Sequence, residues 1–157
     1  MKKITTAKGE NILVDECDFN WLLNYSWHVR KCAGYFYATT KSSRPKHKTI
    51  YMHRLILDAK KGEYVDHIDG NGLNNTRSNI RICTNKQNSF NQKARGRTSK
   101  FKGVSFCSRT KKWIVTMKLE DRTRFFGRFD KEIDAAKKYN EVAAKYHGEF
   151  AKLNGGI

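Results

Sequence analysis

No apolar run long enough to cross a bilayer occurs in this chain. It also lacks a charged-then-apolar leader and a basic amphipathic helix beside an apolar anchor. These absences predict a soluble, intracellular protein with no membrane partner. Cys17, Cys32, Cys83 and Cys107 are scattered with no C-x-x-C pair among them, which argues against a zinc knuckle or a disulfide framework and for reduced, structural thiols. Proline is nearly absent, with one in 157 residues. Acidic residues are scarce as well: 15 Asp and Glu stand against 32 Lys and Arg.

That imbalance leaves a formal charge of +17, enough to bind a polyanion without regard to sequence and to make the binding steeply salt-dependent. A membrane surface is the rival polyanion, and the missing anchor disfavours it. The expected partner is nucleic acid.

The stretch from Tyr64 to Asn91, YVDHIDGNGLNNTRSNIRICTNKQNSFN, is where chemistry concentrates. Hydrolysing a phosphodiester needs a base to activate water, a divalent cation to neutralise developing charge, and groups to aim both. Tyr64-Val65 reads as a short strand with Asp66 and His67 at its end. Asp69 to Asn75 is a turn-rich loop of Gly and Asn. Asn79 to Cys83 alternates as a second strand, and Thr84 with Gln87 forms a capping box that predicts a helix beginning at Asn85. Asn88 and Asn91 then share a helical face.

This strand, loop, strand and helix, with DH ending the first strand, N opening the second and N on the helix, resembles the HNH (ββα-metal) endonuclease family over roughly Met52 to Gln92. The resemblance implies that His67 is a general base, that Asp66 and Asn88 bind a metal through side-chain oxygens, and that Asn79 orients the His67 ring. A neutral His67 is compatible with a reference pKa near 6.5. The helix position often filled by His in that family is here Asn88, so the donors are all oxygen. Such a set favours Mg²⁺ or Mn²⁺ over Zn²⁺.

Alternatives stand beside several of these roles. Asp69, Asn71, Asn74 and Asn75 are also ordinary turn residues. Asn91 either supports the metal shell or caps the helix end. Arg81 either touches a phosphate or the leaving group, or is an exposed strand arginine. His53-Arg54, in the run YMHRLIL, matches a pair that often precedes the motif in the family, and for His53 a satisfied structural histidine is the safer view.

Upstream, Ile12 to Val14, Trp27 to Val29 and Gly34 to Thr40 read as strands of a small sheet, with a short helix over Asp18 to Leu23 starting at an Asp cap. Ile50 to Asp58 reads as a strand running into a helix. The layout resembles the N-terminal segment of phage and intron HNH proteins, which implies a buttress for the nuclease. The basic loop from Lys41 to Lys48 either meets phosphates or is a mobile tip. A basic run of small residues, Lys93 to Lys100, reads as a linker.

Beyond it, Lys102 to Phe106, Lys112 to Leu119 and Thr123 to Phe129 read as three strands. From Lys131 to His147, Ala135, Tyr139, Val142 and Tyr146 recur at helical spacing, with Asp130 a plausible N-cap and Gly148 a stop. The words FKGV, FGRFD and DAAKKYNEVAAKYHGEFAKLN resemble the APETALA/ethylene-response-factor (ERF) DNA-binding domain over about Ser99 to Asn154. That likeness implies a sheet face that enters the major groove. Its candidate DNA contacts are Lys102, Arg109, Lys112, Trp113, Thr116, Lys118, Arg124 and Arg128. The family usually carries more arginine on the first two strands, which points to modest base specificity. Trp113 and Phe126 are equally suited to the core.

The sequence thus predicts an α+β protein of small modules: an N-terminal support module at 1–58, a nuclease core at 59–92, a linker at 93–99 and an ERF-like domain at 100–155. The expected activity is Mg²⁺- or Mn²⁺-dependent cutting of double-stranded DNA by a homing-type HNH endonuclease, phage- or mobile-element-encoded, with no small-molecule cofactor. The alternatives are a DNA-binding regulator on a non-catalytic HNH scaffold and, less favoured, an RNA-directed nuclease or binder. No residue pattern specifies an oligomeric state.

Overall fold

A computed structural model describes residues 1–42, 48–93, 98–120 and 122–157. Most of the basic loop expected over Lys41 to Lys48, and the middle of the linker expected over Lys93 to Lys100, lie outside the described residues. The chain is a mixed α+β protein of small antiparallel sheets and, among the described residues, four α-helices. It divides into two compact units, Met1–Asn88 and Ser89–Ile157.

The first unit opens with a hairpin of β1 (Lys2–Thr5) and β2 (Asn11–Val14). Period-two alternation turns Ile4, Ile12 and Val14 inward. Helix α1 (Glu16–Leu22) follows. Its N-cap is Asp15, three residues before the expected cap at Asp18. Asp18 is instead buried one turn inside, where Arg77 holds its carboxylate with Nε at 2.7 Å and Nη2 at 2.8 Å. A second sheet has the order β3-β4-β5, from His28–Cys32, Tyr35–Lys41 and Thr49–Tyr51. Ala33 and Gly34 both take positive φ at the β3–β4 turn, the backbone hand that matches strand twist in a two-residue hairpin loop.

Helix α2 (Met52–Ile56) leads to a two-stranded ribbon of β6 (Tyr64–His67) and β7 (Ile80–Cys83), and then to α3 (Asn85–Phe90), whose last two residues belong to the second unit. The capping box forms as its residues require. The Thr84 amide donates to Gln87 Oε1 at 2.8 Å, and the Gln87 amide to Thr84 Oγ1 at 3.2 Å. The core gathers Ile4, Ile12, Val14, Leu22, Trp27, Ala38, Met52, Ile56 and Ile80, so β1, β2, α1, β4, α2 and β7 each contribute a buried residue, and β6 packs its partly buried Val65 against them.

In the second unit β8 (Val104–Cys107), β9 (Lys112–Leu119) and β10 (Arg122–Phe129) make a sheet of order β10-β9-β8, and α4 (Glu132–His147) packs on it. Ala135, Ala136 and Ala143 are small enough to let the helix lie close to Val104, Val115 and Met117. Tyr139 fills the space over Gly103, whose φ is +72° and where an added Cβ would sit 2.1 Å from the ring. The α4 N-cap is Lys131 rather than Asp130, whose carboxylate lies 3.0 Å from the Lys112 ammonium. No helix among the described residues is long and apolar enough to cross a membrane. All four cysteines are free, and Cys17 and Cys32 are exposed, so only Cys83 is a buried, structural thiol.

Candidate active site

The β6–β7 register sets Asp66 opposite Arg81 and His67 opposite Ile80. Alternation sends neighbouring side chains to opposite faces of the ribbon. Asp66, only 4% exposed, meets the Arg81 guanidinium, whose Nε and Nη2 donate to Oδ2 at 3.1 and 2.8 Å. Arg81, expected at a phosphate or on an open strand face, is therefore engaged with the carboxylate beside it.

His67 is 6% exposed. Its Nε2 lies 3.4 Å from Asn75 Oδ1. Its ring stands edge-on to His53 at a centroid distance of 4.9 Å and tilted to Tyr37 at 6.0 Å. Burial pushes its pKa below the ordinary histidine value, and the Asn75 contact and the charges of Asp69 and Asp66 oppose that shift without cancelling it. An imidazole so placed stays neutral and able to accept a proton.

The loop after β6 is built from side chains that bond backbone. The Asn71 amide donates to Asp69 Oδ1 at 2.7 Å, and the Leu73 amide to Asn71 Oδ1 at 3.1 Å. Asn79 locks this loop: Nδ2 donates to Asp69 Oδ1 at 3.0 Å and to the Asn74 carbonyl at 2.8 Å, while Oδ1 accepts from the Asp69 amide at 3.0 Å. Its side-chain bonds thus go to the loop, and the residue that meets the His67 ring is Asn75. Burial pushes the Asp69 carboxyl up, but its bonds from Asn71, Asn74 and Asn79 outweigh that and hold it below its usual range. From the other side β2 grips the same loop, Leu13 N–H donating to the Leu73 carbonyl at 2.9 Å and Asn75 N–H to the Leu13 carbonyl at 2.8 Å. An added Cβ at Gly72 would lie 2.2 Å from the Phe36 carbonyl oxygen, so only glycine lets the loop approach β4 this closely.

Sequence reasoning did not find Asn75, fully buried, or Tyr37 as neighbours of His67. It took His53 as a satisfied histidine, yet His53 Nδ1 is buried with no hydrogen-bond partner. Burial first, then the charges of His67 and Arg54, push the His53 pKa down to about 3. Its neighbour Arg54 braces the chain entering β6 through the carbonyls of Glu63 at 2.6 Å, Lys60 at 2.9 Å and Ala59 at 3.1 Å. The signal for both was the HR pair. Asn88 is half-buried on α3, its amide bonded to the Thr84 carbonyl at 3.0 Å.

Among the described residues no group of three or more His, Cys, Asp or Glu side chains is placed to hold a metal. The oxygen donors expected from the sequence are the Asp66 carboxylate, buried on β6, and the Asn88 side chain, half-buried on α3. That set suits a hard cation that keeps most of its waters and takes further oxygens from a phosphate.

In the second unit the open sheet face follows from register. Ser105 pairs with Ile114, Lys112 with Cys107, Phe125 with Thr116, Thr123 with Lys118 and Arg128 with Ile114, so Lys112, Thr116, Lys118 and Arg128 share one side. Arg128 lies 5.0 Å from the Phe125 ring centroid. Arg109 is exposed in the β8–β9 turn. Trp113 is on the other side, packed against the core and edge-on to Phe106 at 5.0 Å. Arg124 pairs with Met117 and so shares that side, though it is exposed on β10 at the sheet's edge. Lys102 precedes β8, and its ammonium donates to the Phe90 and Gln92 carbonyls.

A model of the HNH endonuclease family matches residues 50–90. An uncharacterized HNH endonuclease of Acanthamoeba polyphaga mimivirus is 37% identical over 132 residues, covering 83% of this chain and 67% of that protein. Protein 3.8 of Escherichia phage T7 is 34% identical over 119 residues, covering 72% of this chain and 98% of that protein. No solved structure matches the chain.

Proposed function

The chain belongs to the HNH endonuclease family, and from that premise we propose that it is a metal-dependent DNA endonuclease of the homing type, with His67 as general base. The observation that carries this reading is the buried, neutral His67 beside the buried Asp66 at the end of β6, against a loop fastened by Asn79 and carrying Asn75. His67 takes a proton from water as the water oxygen bonds to phosphorus in line with the departing 3′ oxygen. The P–O3′ bond breaks, leaving 5′-phosphate and 3′-hydroxyl ends once the departing oxygen is protonated. Asn75 aims the imidazole, Asn79 fixes the loop that carries Asn75, and Arg81 holds Asp66 in place. Asp66 and Asn88 would hold Mg²⁺ or Mn²⁺, which supplies charge neutralisation at the phosphate and leaving oxygen. The open β8–β9–β10 face, with Lys112, Thr116, Lys118 and Arg128 and with Arg109 at its turn, serves as an ERF-like reader of double-stranded DNA. The phage and viral relatives fit a mobile-element origin.

The test is incubation of supercoiled plasmid with wild-type or His67→Ala protein, with Mg²⁺ or with EDTA. Open-circle or linear product only from wild type with metal supports the nuclease. Equal DNA binding without any conversion, on plasmids that carry sequence flanking the gene, supports the regulator instead.

A further inference from the structure

A cleft of about 470 Å³ in the second unit is lined by Lys93, Lys100, Lys102 and Lys152, with Asn154 and glycine backbone beside them and, among the described residues, no carboxylate. No residue of β8, β9 or β10 lines it, so it is separate from the open sheet face. Like charges gathered in one concavity raise the potential there and favour an incoming anion.

The frame around the cleft is fixed by hydrogen bonds. The Lys102 amide donates to Asn154 Oδ1 at 2.7 Å, and Asn154 Nδ2 donates to the Lys102 carbonyl at 3.1 Å. Asn140 on α4 closes the set, accepting from the Asn154 amide at 2.7 Å and donating to its carbonyl at 2.9 Å. The Lys102 ammonium is held by two carbonyls, Phe90 and Gln92. An ammonium has three donors, so one remains for a ligand. Burial first, and the Lys152 charge second, push the Lys102 pKa down to about 8.

We infer that this lysine cleft is a second nucleic-acid contact, which grips a backbone phosphate through residues used by neither the candidate active site nor the sheet face. Lysine serves such a site as a point charge without base preference. The inference takes only its polymer from the proposed function and needs no cleavage chemistry.

The experiment uses full-length His67→Ala protein in EDTA, with binding to a labelled duplex followed by fluorescence anisotropy across a series of KCl concentrations. Lys100→Gln/Lys152→Gln is compared with Lys137→Gln/Lys145→Gln, which removes the same charge from exposed positions of α4. The cleft variant is expected to lower the slope of log affinity against log salt by about 1–2, one phosphate contact being worth about 0.9, while the α4 variant keeps the parent slope. Parent-like slope and affinity in the cleft variant overturn the inference, as does a parent that binds no duplex. Inorganic phosphate that raises the Tm of the parent but not of the cleft variant, with duplex binding unchanged, also overturns it in favour of a free anion. A slope change together with wild-type protein that cuts no plasmid leaves the cleft standing and removes only the nuclease reading.

Discussion

Arg81 lies directly across the β6–β7 ribbon from Asp66 and holds its Oδ2 through two nitrogens, at 3.1 and 2.8 Å. The pairing register makes this contact, because residues opposite each other on an antiparallel ribbon share a face. The carboxylate proposed as the metal ligand is thereby kept oriented before any cation arrives.

Arg81→Met is expected to lower the unfolding free energy by about 1–3 kcal/mol, since it strands a buried acceptor. It should also slow plasmid cleavage by about 10–100-fold, the usual effect of removing a group that orients a metal ligand. Arg81→Lys should recover part of the rate, having the charge without the fork. Denaturant melts and cleavage time courses measure both, and wild-type cleavage by the methionine variant would refute the assignment.

His67 has a pKa below the ordinary value, so the neutral base survives to lower pH, and the acid limb of the cleavage profile should lie below about 6.5. Asn75→Asp places a carboxylate at the ring and should move that limb upward. A limb that does not move argues that Asn75 does not govern the base.

Asn79→Ala breaks three hydrogen bonds to the loop from Asp69 to Asn74. Hydrogen exchange at the amides of Asn71 and Leu73 should rise, and cleavage should fall without loss of duplex affinity. Unchanged exchange would show that the loop stands without Asn79.

His53 has a folded-state pKa of about 3 against about 6.5 when unfolded, so the unfolded chain takes up protons first as the solution is acidified. Its contribution is complete above pH 6.5 and is lost as pH falls from 6.5 toward 3. At pH 5 the loss is about 2 kcal/mol. His53→Gln should flatten that dependence in denaturant melts of the protein.

Gly103→Ala combines a left-handed φ of +72° with a Cβ 2.1 Å from the Tyr139 ring. It should destabilise the second unit by about 3 kcal/mol or more. Near-UV dichroism and denaturant melts would register the loss.

Local rules made much of the architecture readable. The Thr84–Gln87 box placed the start of α3 at Asn85, and alternation placed β9 over Lys112–Leu119 without error. Strand β1 escaped notice because KKIT buries one residue, Ile4. The site was legible in its chemistry and opaque in its contacts. Nothing in the spacing of Asn75 and Asn79 says which one reaches the His67 ring, since that depends on how the loop lies against β2 and β4. Asp18 and Arg77 are far apart in sequence, so a rule based on helix caps made Asp18 the N-cap of α1, whereas the fold buries it as an ion-pair partner. Trp113 was ambiguous because a strand tryptophan suits either face until the register is known.

The two backbone hydrogen bonds of Leu13, one given to the Leu73 carbonyl and one taken from the Asn75 amide, reach across the first unit and tie its opening hairpin to the loop between β6 and β7. Transplanting residues 59–92 into another protein would carry every candidate catalytic and metal-binding side chain yet leave behind the strand that shapes the ground they stand on. Gene fusions that keep only the minimal motif would inherit the alphabet of the nuclease without its grammar, so a working graft has to begin upstream of β2.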